Sequence, residues 1–248
     1  MTIQTIKGTV ALVTGANRGL GRALTEELLN RGVKKVYAAA RDPRTLQDLG
    51  DDRVVRLRLD VTDAEQVRSA VETASDVKIV FSNAGLALGT AIVGSSVLDQ
   101  AQREMEVNYF GPLRLLQRTA PTLARNGGGA FVTIASVAGL TNVPFLPTYA
   151  ASKASLHSLT QAARILLAGQ GTAVIGIYPG PIDTDMSRAL AIPKTAPRDV
   201  AIAILDGIEA GQEDIFPDPF AVEFGRSFEA SPKTSERQVA AMILAAAA

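Results

Sequence analysis

The chain has 248 residues, with 25 Lys and Arg balanced by 25 Asp and Glu, a single histidine and no cysteine. That length suits one substantial α/β core, and the charge balance leaves no excess of positive charge to collect nucleic-acid phosphates or an anionic membrane. The absent cysteines exclude a thiol nucleophile, a disulfide framework, an iron–sulfur cluster and a zinc site built from Cys and His, so no metal is expected. The longest apolar run, 240–248, is far shorter than the ~20 residues that cross a bilayer. The stretch 9–13 runs straight into a glycine loop, unlike a signal peptide. Cytoplasm is the expected location.

Apolar, β-rich segments near 9–14, 34–40, 53–59, 77–82, 129–136 and 172–178 alternate with helical patterns near 19–31, 63–74, 97–109, 110–125 and 148–168. This alternation predicts a doubly wound parallel sheet of Rossmann type, three layers deep, in a single domain covering 1–248. Gly32, Asn126-Gly127 and Gly169 are expected to close helices with a residue that tolerates positive φ. Beyond Pro179 the prolines multiply, and 180–196 is expected to be a mobile flap over the site, followed by a helix near 197–210 and a less regular tail.

The run Thr14-Gly15-Ala16-Asn17-Arg18-Gly19-Leu20-Gly21 lies between the first strand and the first helix. Small residues there let the backbone turn tightly and approach a pyrophosphate at the positive end of the helix, so Gly15, Asn17, Arg18, Gly19, Leu20 and Gly21 are candidate cofactor-binding residues. At the end of the second strand, where an acid would accept from a ribose, the sequence reads Ala38-Ala39-Ala40-Arg41. An Arg fork suits a 2′-phosphate, with Arg18 as a second cation, and NADP(H) is the expected cofactor. Asp60 and Val61, after the third strand, are candidates for the adenine, while Asp63 is placed to cap the next helix.

Further along stand Asn83-Ala84-Gly85, Asn108, Ser136, Tyr149-x-x-x-Lys153 and Pro179-Gly180-x-x-x-Thr184. Together with the glycine loop, and in this order over about residues 7–190, they resemble the short-chain dehydrogenase/reductases in their compact single-domain branch. The resemblance implies an NAD(P)-dependent oxidoreductase in which Tyr149 is the acid/base, Lys153 holds the nicotinamide ribose and tunes the tyrosine, Ser136 binds the substrate oxygen and Asn108 maintains a proton relay through water. It also implies that Asn83, Ala84, Gly85, Pro179, Gly180, Ile182 and Thr184 line the cofactor. The pattern departs from the family's at Ser82, where an asparagine is usual. It departs again at the C-terminus, where proline-broken sequence and an alanine-rich helix replace a strand and glycine-rich turn that pack across a tetramer axis. The helices at 97–125 and 148–168 resemble the family's dimer surface, so at least a dimer is expected.

The chemistry accounts for these residue types. Hydride transfer to a carbonyl leaves an alkoxide, which needs a proton donor within hydrogen-bond reach. Residues four apart share a helix face, so Lys153 is expected beside Tyr149, its charge favouring the phenolate; a drop of about two pKa units corresponds to ~2.7 kcal/mol. Ser136, at a strand end, can donate to the same oxygen. A serine hydrolase is excluded: Ile134 stands where an elbow needs glycine, and the one histidine, His157, lies on the Tyr149 helix, where it is expected to be a surface or interface residue. Segments 86–95, 137–147 and 186–193 are expected to surround the substrate with mainly apolar side chains, suiting a hydrophobic ketone, aldehyde or secondary alcohol. Two alternatives stand beside this. One is a 3-oxoacyl carrier-protein reductase using Arg114, Arg118 and Arg125 as a basic face; the other is a non-catalytic NADP(H)-binding sensor or scaffold.

Overall fold

The structure, a computed structural model, describes residues 5–89 and 92–246, so positions 90–91 of the expected substrate segment and the end of the C-terminal apolar run lie outside the described residues. In chain order the elements are Val10–Thr14 (β1), Gly19–Asn30 (α1), Lys35–Ala40 (β2), Val54–Arg58 (β3), Ala64–Thr73 (α2), Ile79–Ser82 (β4), Val97–Met105 (α3), Gly111–Arg125 (α4), Gly129–Ile134 (β5), Pro147–Leu167 (α5), Thr172–Ile177 (β6), Pro197–Glu209 (α6), Asp214–Ile215 (β7), Pro219–Ala230 (α7) and Pro232–Ala246 (α8). Among the described residues the strands form one parallel sheet in the order β3-β2-β1-β4-β5-β6-β7. The expected Rossmann-type architecture is present.

The sheet is buried on both faces because successive side chains of a strand point to opposite sides. Along β1, Ala11 and Val13 enter the layer that holds Leu24 of α1 and Ile204 of α6. Val10 and Leu12 enter the opposite layer, with Val67 of α2, Leu115 of α4 and Ala163 of α5. Leu12, Phe81 and Phe131 are fully buried, and each such side chain contributes about 1.5–3 kcal/mol relative to exposure. Strand order reverses between β1 and β4, and open α/β sheets bind ligands in the crevice at the carboxyl ends of such a pair.

Two expectations need correction. The tail after 210 is not irregular: it holds β7, α7 and α8. The prolines of the tail do not break it: Pro219 and Pro232 each stand at the start of a helix, where the missing N–H would lack an intrahelical partner anyway, as Pro197 does at the start of the helix expected near 197–210. Gly169 does not turn the chain after α5; that conformation falls to Gly171, at φ 74°, after a 3-10 turn that carries the chain two residues further. The helical stretch expected at 97–109 is present, as α3 followed by a π turn at Glu106–Phe110 that joins it to α4.

Candidate active site

At the carboxyl end of β1 the glycines meet two different demands. Gly15 and Gly19 have φ of 65° and 54°, which L side chains rarely adopt. Gly21 has ordinary helical conformation, but a Cβ on it would lie 2.1 Å from the Gly15 carbonyl oxygen and 2.4 Å from Asn83 Nδ2. Thr14, quoted above only as the opening of the motif, stitches the crevice together. Its buried hydroxyl accepts from the N–H groups of Asn83 (2.9 Å) and Ala84 (3.0 Å). Asn83 Nδ2 in turn donates to the Thr14 carbonyl at 2.8 Å. The loop backbone is thus held in place at the start of α1.

The cations near this loop differ in engagement. Arg41 is exposed at the end of β2, whereas Arg18 reaches across to Asp185 at 3.2 Å. Asp60 is half-buried and its Oδ1 accepts from the Thr62 N–H (3.0 Å) and hydroxyl (2.8 Å). Asp63 caps α2, as expected, accepting from the N–H groups of Glu65 and Gln66. Val61 is buried in the core layer beside α2 and α4.

Segment 180–196 starts from a tether: Gly180 N–H donates to Asp218 Oδ2 at 2.8 Å. Ile182 bridges Thr195 in parallel fashion, and Asp185–Ser187 form a 3-10 turn. Thr184 touches the glycine loop, because a Cβ on Gly19 would lie 3.2 Å from Thr184 Cγ2.

Ser136 follows β5 and is buried, its hydroxyl accepting from Ala138 N–H at 3.2 Å within a short 3-10 turn. That turn packs tightly on α5 because Gly139 lacks a side chain; a Cβ there would lie 2.7 Å from the Lys153 backbone carbonyl. Ser136 and Tyr149 are neighbours as a result, close enough for the serine hydroxyl to lower the Tyr149 pKa. Lys153 is 4% exposed, donates to the Ile134 carbonyl at 2.7 Å, and stands 5.7 Å from the centre of the Tyr149 ring. A Cβ on Gly85 would lie 3.5 Å from Asn108 Oδ1 and 3.7 Å from Lys153 Nζ, so this glycine keeps the backbone clear beside both.

The structure therefore gathers Ser136, Tyr149, Lys153, Asn108 and Gly85 at one place, but the electrostatics differ from expectation. Burial pushes the Tyr149 phenol up to about 12, against a smaller lowering by the Ser136 hydroxyl, and the Glu104 carboxylate adds to the rise. Acidification by Lys153 is not found, because its ammonium turns to the Ile134 carbonyl and is itself pulled by burial to about 8.

Asn108, in the π turn, is fully buried. Its side chain accepts from Leu86 N–H at 2.8 Å, donates to the Leu86 carbonyl at 2.7 Å, and donates to Ser152 Oγ at 2.9 Å. Glu104, one turn earlier and absent from the expected site, is also fully buried and accepts from Leu88 N–H at 2.8 Å.

His157, expected at the surface or in an interface, is drawn partly inward. It is half-buried, its Nδ1 lies 2.7 Å from the buried Tyr178 hydroxyl, and burial lowers its pKa. Val137, placed among the substrate segments, packs instead into a core cluster with Leu156, Tyr178 and Phe224. Arg114 pairs with Glu106 at 2.7 Å, which withdraws it from the basic face required for a carrier protein.

The family model for the short chain dehydrogenase matches residues 9–194. The chain belongs to that family and is an oxidoreductase of it. A short chain dehydrogenase from Burkholderia cenocepacia in complex with NADP is 38% identical, with a TM-score of 0.90 over 95% of this chain and 98% of that one. A short chain dehydrogenase/reductase from Burkholderia phymatum in complex with NAD is 26% identical, with a TM-score of 0.79 over 90% and 93% of the two chains. An uncharacterised oxidoreductase of Staphylococcus aureus is 34% identical over 216 residues, covering 83% of this chain and 92% of the relative.

Proposed function

We propose that the protein is an NADPH-dependent reductase of hydrophobic ketones or aldehydes, or a dehydrogenase of the matching secondary alcohols, with Tyr149 as its proton donor and acceptor. The observation that carries this reading is the gathering of Ser136, Tyr149 and buried Lys153, with Lys153 Nζ 5.7 Å from the Tyr149 ring centre and the Ser136 turn packed on α5. A bound nicotinamide supplies or removes the hydride. The loop at Gly15, Gly19 and Gly21 fits its pyrophosphate, since side chains at these positions would enter the space or force the backbone. Arg41 and Arg18 favour a cofactor with a 2′-phosphate, and the 38% identical NADP complex supports that preference.

The raised pKa of Tyr149 suits the reductive direction. A phenol held protonated at neutral pH is ready to give its proton to an oxygen gaining charge, while Ser136 donates a second hydrogen bond to that oxygen. Lys153 orients the nicotinamide ribose, and its lowered pKa makes it an efficient proton carrier near neutrality. Asn108 fixes the adjoining wall and anchors a relay of protons through water. Ile92, Val93, Phe145, Met186 and Ile192 are exposed large apolar side chains on the three substrate segments, which supports an apolar substrate beneath a cover formed by 180–196. Dimerisation through α4 and α5 and residence in the cytoplasm belong to the same proposal.

NADPH oxidation followed by absorbance across a panel of carbonyl compounds tests it. Consumption with aryl and alkyl ketones or aldehydes is expected. A preference for short charged keto acids would overturn the substrate class, and binding without consumption across the panel would favour a sensor.

A further inference from the structure

We propose that Glu104 is a positioning residue of this site: one carboxylate oxygen fixes Leu88 in the substrate wall, and the other sets a buried negative charge where α3 packs against α5, the helix of Tyr149. This inference rests on the reading of Tyr149 as proton donor. Glu104 and Asn108 stand one turn apart, both fully buried, and take hold of alternate backbone units of one segment, Leu88 and Leu86. Two adjacent grips of this kind set the position of the chain that follows Gly85, where substrate is expected to lie. Glu104 uses only half of its carboxylate there. Its Oε2 is buried and finds no hydrogen-bond partner among the described residues.

A buried acid with an oxygen to spare is costly in a well-packed helix interface unless the charge has a use. A negative charge next to a phenol opposes its ionisation, and Glu104 does raise the pKa of Tyr149. The other charged groups around Tyr149 are engaged or exposed, with Lys153 Nζ standing 5.7 Å from the ring centre. On α5, Lys153 turns to Ile134, and His157 pairs with Tyr178. On α3, Asp99 and Arg103 are exposed. In the π turn, Glu106 is engaged by Arg114, while β5 and the turn at Val137–Gly139 bring no titratable group.

Glu104→Gln separates the two tasks. The amide oxygen can still accept from Leu88, and the new amide donor stands one turn from Gln100, whose buried Oε1 also lacks a partner. With ring-labelled tyrosine, NMR of the full chain without cofactor follows Tyr149 directly, its resonance assigned by its loss in Tyr149→Phe. In Glu104→Gln the Tyr149 resonance is expected to move toward tyrosinate about one pH unit below wild type. The limb of the pH profile for alcohol oxidation on which activity rises as Tyr149 loses its proton should move to lower pH by the same amount, with KM little changed. Superimposable titrations would overturn the proposal. Should Glu104→Gln fail to fold, Glu104→Asp keeps the charge but withdraws from Leu88: a severalfold higher KM with a titration like wild type supports the proposal, and a titration displaced by a full unit overturns it. An inactive wild-type protein whose titration still responds to Glu104→Gln would sink the reductase reading and leave this electrostatic link standing.

Discussion

The glycine loop and the candidate catalytic edge occupy the same end of one sheet but handle their polar groups in opposite ways. Around β1 and β4, the Thr14 hydroxyl takes two backbone N–H groups, and Asn83 returns an amide hydrogen bond to the Thr14 carbonyl. At the catalytic edge a lysine is buried, a phenol is pushed up to about 12, and a buried carboxylate oxygen goes unpartnered. The first region is a frame whose polar groups stabilise the fold. The second holds groups that the fold tolerates at a cost, which is how an active site differs from a scaffold.

Lys153→Met should break this contrast most sharply. Burial sets the folded pKa of Lys153 at about 8, below its ordinary 10.5. Between those values the unfolded chain holds a proton that the folded chain has released, so stability rises with pH across that window. Below pH 8 the folded protein carries the buried charge at a cost on the order of 3 kcal/mol. Lys153→Met is therefore expected to lower kcat about 100-fold or more while raising the urea midpoint at pH 7 and flattening the rise in stability from pH 8 to 10.5. A lower midpoint at pH 7 would mean that Lys153 belongs to the frame.

Gly21→Ala probes the frame itself. In an open helix this change gains roughly 0.5–1 kcal/mol, but here the new Cβ would lie 2.1 Å from the Gly15 carbonyl. The clash should win, costing about 1–3 kcal/mol in thermal or urea unfolding and weakening NADPH binding. An unchanged Tm would show that the loop gives way freely.

Arg41→Asp should swing the ratio of NADPH to NADH affinity about tenfold or more toward NADH, measured by cofactor fluorescence titration. A ratio that stays put would remove Arg41 from the 2′-phosphate site. The smallest effect is expected from Asp185→Asn. The exposed Arg18–Asp185 pair contributes under about 1 kcal/mol to stability. Its loss releases Arg18 and should tighten NADPH binding slightly, in a salt-dependent way; weaker binding would place Arg18 outside the phosphate site.

The sequence carries the frame more fully than the site electrostatics. Runs such as Val10–Thr14 and Ile79–Ser82 announce buried parallel strands because both faces of the sheet are covered. The spacing of Tyr149 and Lys153 places them on one helix face. The C-terminal prolines mislead because a proline that ends one segment also starts a helix well, and only tertiary packing decides between the two. The direction in which Lys153 points is equally hidden: it depends on Gly139 letting the Ser136 turn close on α5 and on the Ile134 carbonyl being within reach. Glu104 reads as one more charge on an amphipathic helix until its burial is known.

Tyr149→Phe is the most direct test of the central claim, that one phenol donates the proton. The ring and its packing remain, so NADPH affinity should stay within about threefold of wild type while kcat for the best carbonyl substrate falls about 1,000-fold. Turnover within tenfold of wild type, with NADPH still bound, would contradict it.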